Sequence, residues 1–276
     1  MGQVSYVRML ALGLGAALMI AAAWGTATAS ASGLEWGRCE ETESQTGGKY
    51  ANAGCTETAA HKQGAYEWEP RERVHLESMT AVGAVSFETA AGKKVECAAI
   101  GPESDALGLG PRGAGTPLWE FEGCTSEGEP CTATDAYPGE INDLYSWYGE
   151  LWKGKLGYIS GRGTADPTVG LSYEVPNHER LFEPVHCNGR IGTIWIGGAP
   201  KGRDAFLSTI GPVNEMTETF TQVYSESAPG VPSPTKFAGG RKQTLEAFVG
   251  NHWEPVAMIA TFNYNTGRAS EIKATR

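Results

Sequence analysis

The chain has 276 residues, 22 of them basic and 32 acidic, for a formal net charge of −10. Carboxylates spread along a chain repel phosphate, which argues against a nucleic-acid-binding face and against an anionic membrane surface. The plainer meaning of the acidity is solubility.

The first thirty residues read as a secretory leader. One charge, Arg8, precedes an uncharged apolar run from Met9 to Trp24, and small residues follow from Thr26 to Ser32. This is the charged, apolar and small-residue order of a signal peptide. Ala27-x-Ala29 and Ala29-x-Ala31 both fit the cleavage rule, so the cut is expected after Ala29 or Ala31. The rival is an uncleaved anchor, but the run is short of the ~20 residues a span needs. No later segment is long and apolar enough to cross a bilayer as a helix. The sequence therefore divides into a leader (1–31), a disulfide-clamped N-terminal loop segment (32–64) and a single β-rich domain (65–276).

In chain order, residues 33–64 are Gly, Thr, Glu and Ala with Trp36 as the large exception, and need a clamp to stay ordered. Val85, Phe87 and Thr89 alternate with Ser86 and Glu88. After a turn at Ala91-Gly92-Lys93, Val95, Cys97 and Ala99 alternate with Glu96 and Ala98. That pattern predicts a β-hairpin with Cys97 facing the core. Further strands are expected at 117–121, 156–159, 169–175, 181–187, 191–196, 217–224, 243–249 and 256–264. A turn at Asn265-Thr266-Gly267 precedes a last strand at 270–274. The Thr run at 217, 219 and 221 favours strand over helix. Between them, Leu144, Trp147, Tyr148, Leu151 and Trp152 stand at helical spacing, which predicts a short helix or helical turn over 142–152. Ala228 to Pro234 is a stiff Pro-rich excursion between strands rather than a domain linker. Many short strands with Gly, Pro and Asn punctuation predict an all-β, mainly antiparallel sandwich or barrel.

Six cysteines, Cys39, Cys55, Cys97, Cys124, Cys131 and Cys187, all follow the leader. An even count in an exported chain implies disulfides. Local economy suggests Cys39–Cys55 and Cys124–Cys131, which leaves Cys97–Cys187. A zinc site would need tighter pairs with His beside them.

Trp36-Gly37-Arg38-Cys39 and Asn52-Ala53-Gly54-Cys55 resemble the opening of a family of uncharacterised secreted proteins from soil actinobacteria. Gly139-Glu140-Ile141, Leu156-Gly157-Tyr158-Ile159, Ile210-Gly211-Pro212-Val213-Asn214 and Glu271-Ile272-Lys273-Ala274 agree with it. The resemblance implies export and one continuous domain. It brings no assigned activity and no catalytic residues.

Motifs that carry chemistry are few. Gly108-Leu109-Gly110-Pro111-Arg112-Gly113 matches G-x-G-x-x-G, but Pro111 and Pro117 spoil the strand–helix setting the motif needs. Asp166, His178, Glu183 and His186 could converge as a metal or acid–base site; the plainer reading is histidines in loops. Glu120 and Glu122, or Glu140, Asp143 and Glu150, could pair as glycosidase carboxylates. The best functional hint is aromatic. Tyr145, Trp147, Tyr148, Trp152 and Tyr158 cluster, and flat rings suit sugar faces, although rings at this spacing are more often core. The reading that results is a secreted, non-catalytic β-rich protein of the cell envelope or extracellular space. Polysaccharide or envelope components are its candidate partners, and it is expected to use no cofactor or metal. Its rivals are a carboxylate-dependent hydrolase and a structural envelope component.

Overall fold

Period-two alternation runs through most of the chain, and a computed structural model shows it folded almost wholly as antiparallel strands. The structure describes residues 33–71, 74–75, 77–102, 106–107, 119–133, 144–145, 153–174, 184–188, 191–197 and 205–274. In chain order the strands are β1 (Leu34–Glu41), β2 (Tyr66–Pro70), β3 (Val74–His75), β4 (Ser78–Ala81), β5 (Val85–Thr89), β6 (Lys94–Cys97) and β7 (Ala99–Pro102). Then come β8 (Ala106–Leu107), β9 (Trp119–Glu122), β10 (Thr125–Ser126), β11 (Glu129–Ala133), β12 (Leu144–Tyr145), β13 (Lys153–Ser160) and β14 (Thr168–Glu174). The last are β15 (Val185–Cys187), β16 (Gly192–Ile196), β17 (Ala205–Gly211), β18 (Thr217–Ala228), β19 (Val231–Ser233), β20 (Leu245–Val249) and β21 (His252–Ala274).

The long strand β21 organises the rest. From its first residues the neighbours run β20, β16, β15, β11, β10, β6 and β5, and β5 pairs back onto β21. The closing register sets Val256 opposite Thr89 and Ile259 opposite Ser86. The result is a closed antiparallel barrel. A barrel of about eight strands has an interior that side chains just fill. Val85, Phe87, Val95, Ile194, Ile196, Leu245, Ala247, Val249, Val256 and Met258 supply that filling, each almost fully buried. The second half of β21 carries a further sheet, in the order β18, β17, β14, β13, with β4 and β1 also pairing along β21. Short sheets β12-β9-β7 and β3-β8 complete the described strands.

Several expectations change in three dimensions. Residues 265–270 are not a turn between strands but a bulge within β21. Thr217 faces Ser270 and Thr219 faces Asn265, so two steps on β18 span five on β21. Gly267 takes φ +62° there, a conformation other residues adopt at a cost. The Pro-rich stretch is a hairpin: β19 folds back on β18 around Pro229-Gly230.

The N-terminal segment is no surface loop at its start. Leu34 and Trp36 pair with Ala274 and Ile272, and the Trp36 ring packs on Phe220 with centroids 4.5 Å apart. A single Trp in a polar stretch was the visible sign of this anchor. The helix expected over 142–152 is corrected where the structure describes it. Leu144 and Tyr145 are strand, paired with Phe121 and Glu120. An apolar run of this length suits either structure, and pairing to β9 decides it. Residues 142–143 and 146–152 lie outside the described residues. Among the described residues the helical content is one 3-10 turn, Ala60–Lys62.

Three disulfides form. Cys39–Cys55 is as expected, but the others are Cys97–Cys124 and Cys131–Cys187, which corrects both remaining pairings. Local economy fails because the hairpin β10–β11 is flanked by a cysteine-bearing strand on each side, β6 and β15.

Candidate functional site

The sheet built on β14, β17, β18 and β21 has two unlike faces, and the register assigns each residue to one. Val169, Ile210, Gln222 and Phe262 stand opposite one another in a row across the four strands, and all four are buried. One step along, the side chains turn outward. Gly211 faces Thr221, Thr221 faces Asn263, and Asn263 faces Thr80 on β4; Thr168 continues this row on β14. A second outward row runs Gly170, Thr209, Val223 and Thr261. A third pairs Thr219 with Asn265 and Asn265 with Ser78. These three rows carry hydroxyls, carboxamides and methyl groups and no charged side chain, in a chain whose residues are 20% charged; exposed charge stands at their margin, at Asp166 just before β14 and at Glu174 at its end.

The face has relief. A depression of about 480 Å3 opens over β14, β17 and β18, lined by Asp166, Pro167, Thr168, Thr209, Gly211, Pro212, Val213, Thr221 and Val223 among others. Asp166 is placed by an ordered turn, in which the Thr164 backbone N–H and hydroxyl both donate to the Gly161 carbonyl, at 2.9 and 2.6 Å. The Thr221 hydroxyl donates to Asn263 Oδ1 at 2.9 Å, tying β18 to β21 across the face.

Beneath this face the strands are locked by a buried polar cluster. Gln222 Nε2 donates to Ser208 Oγ at 2.6 Å and to the Tyr224 hydroxyl at 2.8 Å, while the Tyr264 hydroxyl donates to Gln222 Oε1. Ser208 in turn donates to the Leu171 carbonyl at 3.0 Å. Burial pushes the phenols of Tyr173, Tyr224 and Tyr264 well above the ordinary tyrosine value, so they stay protonated and neutral. The hydrogen-bonded network around Gln222 fixes strand register and rigidifies the surface above it.

Of the aromatic residues expected to bind, Trp147, Tyr148 and Trp152 lie outside the described residues. For Tyr145 the backbone is in β12. Tyr158 is corrected: it is 6% exposed on the inner face, and its hydroxyl donates to the Gly33 carbonyl at 3.3 Å. Strand parity puts it with Leu156 in the core, so it offers no ring to a ligand. The acid–base cluster is not assembled among the described residues. Asp166 lines the depression, His186 is exposed beside Thr193 with Nδ1 and Oγ1 3.1 Å apart, and His178 and Glu183 lie outside them. So do Gly108–Gly113, Glu140, Asp143 and Glu150, while Glu120 and Glu122 are placed as backbone in β9. Among the described residues, no group of three His, Cys, Asp or Glu side chains is set to hold a metal ion.

One interacting carboxylate pair is present elsewhere. Glu226, partly desolvated and next to Glu88, has its carboxyl pushed up, first by burial and then by the Glu88 charge. Lys94 stands opposite Glu88 and is itself paired to Glu96 at 2.7 Å. Neither Glu88 nor Glu226 lines the depression.

The hydroxyl face is what sequence reading missed. Its signal in the sequence is the alternating Thr at 217, 219 and 221, which marks one polar face of a strand. Fold and site together define a disulfide-bonded antiparallel barrel with an outer sheet face whose central rows are uncharged. Compared with protein-family models, with curated proteins and with solved structures, the chain matches none.

Proposed function

We propose that this is an exported, non-catalytic protein of the extracellular space or cell wall that holds neutral polysaccharide on the outer face of β14, β17, β18 and β21. The observation that carries the reading is the set of uncharged hydroxyl and carboxamide rows at the centre of that face, with Asp166 as the charged group at their edge. Neutral sugar polymers present hydroxyls and C–H groups. Threonine, serine and asparagine match them with donors, acceptors and methyls, at no cost of burying an unpaired charge. A sheet held rigid from beneath loses little entropy when a polymer lies along it. Export rests on the leader read from the sequence and on three disulfides, the form cysteines take in oxidising compartments. Among the described residues no helix is long and apolar enough to cross a membrane.

The test is retention of the purified secreted chain on insoluble neutral polysaccharides at low and at high salt. Retention on at least one of them, unchanged by salt, is expected, because no ion pair contributes. Loss of retention in salt, or no retention on any neutral polymer, overturns the reading. N-terminal sequencing of the exported material is expected to begin at Ser30 or Ser32.

A further inference from the structure

We infer that the depression over Gly211 is a built subsite for one or two pyranose rings of a neutral glycan, with Asp166 as the group that orients them. This rests on the polysaccharide reading above and names the place where the polymer is gripped.

The argument starts from why position 211 is glycine. A Cβ on Gly157 would lie 2.5 Å from the Phe237 ring, and one on Gly170 would lie 2.6 Å from the Ile159 side chain and 2.7 Å from the Ser208 carbonyl. Packing demands glycine at both. At Gly211 a Cβ would meet nothing within 4 Å, and φ lies outside the left-handed region. Packing against other segments does not demand glycine there; the residue precedes Pro212 through a cis peptide bond. What the missing side chain leaves is open space in the row between Thr168 and Thr221, and that space is part of the depression.

The walls suit a sugar ring. Thr168 and Thr221 stand on either side with hydroxyl and methyl groups, and Val213 and Val223 add apolar surface. Asp166 is the charged side chain of the lining, two residues beyond the hydrogen-bonded turn Gly161–Thr164. A carboxylate accepts from two adjacent sugar hydroxyls at once, and hydrogen bonds to a charged acceptor are stronger than neutral ones. The same carboxylate repels uronate and phosphate groups, so the site selects neutral rings bearing vicinal hydroxyls. The volume, about 480 Å3, falls among small-ligand sites, which span roughly 300–1,000 Å3.

The test uses the mature chain with soluble neutral oligosaccharides, the cello-, xylo- and maltohexaoses, measured by calorimetry beside the insoluble-polymer assay. Gly211→Val fills the space with a residue that strands favour, and Asp166→Asn removes the charged acceptor from an exposed position. Each is expected to weaken binding roughly tenfold or more with the melting temperature unchanged. Asp166→Asn serves alone if Gly211→Val proves unstable. Wild-type affinity in a folded Gly211→Val or Asp166→Asn chain overturns the subsite and leaves the polysaccharide reading standing. A wild-type chain that binds neither soluble nor insoluble neutral glycan removes both.

Discussion

The Cys131 backbone N–H donates to the Cys124 carbonyl at 2.9 Å, yet the sulfurs of these two cross-strand neighbours bond away from each other. The register explains it. Thr125 faces both Pro130 and Glu96, so Cys97, Cys124, Cys131 and Cys187 fall in one row across β6, β10, β11 and β15. A residue in an antiparallel sheet makes a hydrogen-bonded pair with one neighbour and a non-hydrogen-bonded pair with the other. Side chains are closer in the second kind. Cys124 and Cys131 form the hydrogen-bonded pair, so each sulfur reaches outward, to Cys97 and to Cys187. Peptide mapping of native protein is expected to find these links and no Cys124–Cys131 link. Severing Cys131–Cys187, which closes 56 residues, is expected to cost about 4 kcal/mol as a double Ser variant. Severing Cys39–Cys55, which closes 16, is expected to cost about 3 kcal/mol. Denaturant melts that reverse this order would contradict the loop-closure argument.

Gln222 is completely buried and serves Ser208, Tyr224 and Tyr264 at once. Gln222→Leu keeps the volume but strands these hydroxyls, and is expected to destabilise by at least about 3 kcal/mol. The same network predicts behaviour in alkali. Tyrosines whose folded pKa is raised stabilise fully below the unfolded value of about 10, and that stability is lost as pH climbs beyond it. Stability should therefore fall steeply above pH about 10, and less steeply in Tyr264→Phe, which has one fewer proton to hold. Equal slopes in guanidinium melts across that range would mean that the phenol is not linked to unfolding.

Glu226 titrates in the opposite sense to a salt-bridged carboxylate. Its raised folded pKa gives stability that is present below the unfolded Glu value and lost as pH rises through the folded one. Glu88 is the like charge that faces it, and Lys94, engaged by Glu96, offsets only part. Glu226→Gln is expected to raise the melting temperature at neutral pH, with the gain shrinking to nothing toward pH about 4. A variant less stable than wild type at pH 7 would show that the carboxylate is held by favourable contacts instead.

The fold class was legible because alternation survives in short strands. Val85, Phe87 and Val95 announce their hairpin, and Thr89 closes its turn by accepting from Gly92 and donating to the Lys93 carbonyl. What stayed hidden depends on long-range pairing. Nothing local to Leu144-Tyr145 says that β9 lies alongside, and nothing local to Cys124 says which flanking strand brings its partner. The candidate site was hidden for another reason. Thr168, Gly211 and Thr221 are far apart in sequence, individually ordinary, and become a surface only when three strands are in register. Aromatic residues stand out in a sequence because they are large. Tyr158 shows that size predicts burial as readily as recognition.

Strand β21 pairs with β1, β4, β5, β18 and β20, so elements from both ends and the middle of the polypeptide wait for residues 252–274 before their hydrogen-bonding partner exists. A chain lacking this segment has neither the closed wall nor the hydroxyl-bearing sheet. Closure of the barrel and assembly of the outer sheet are thereby coupled through one segment, so the two bodies of strands should form and melt together.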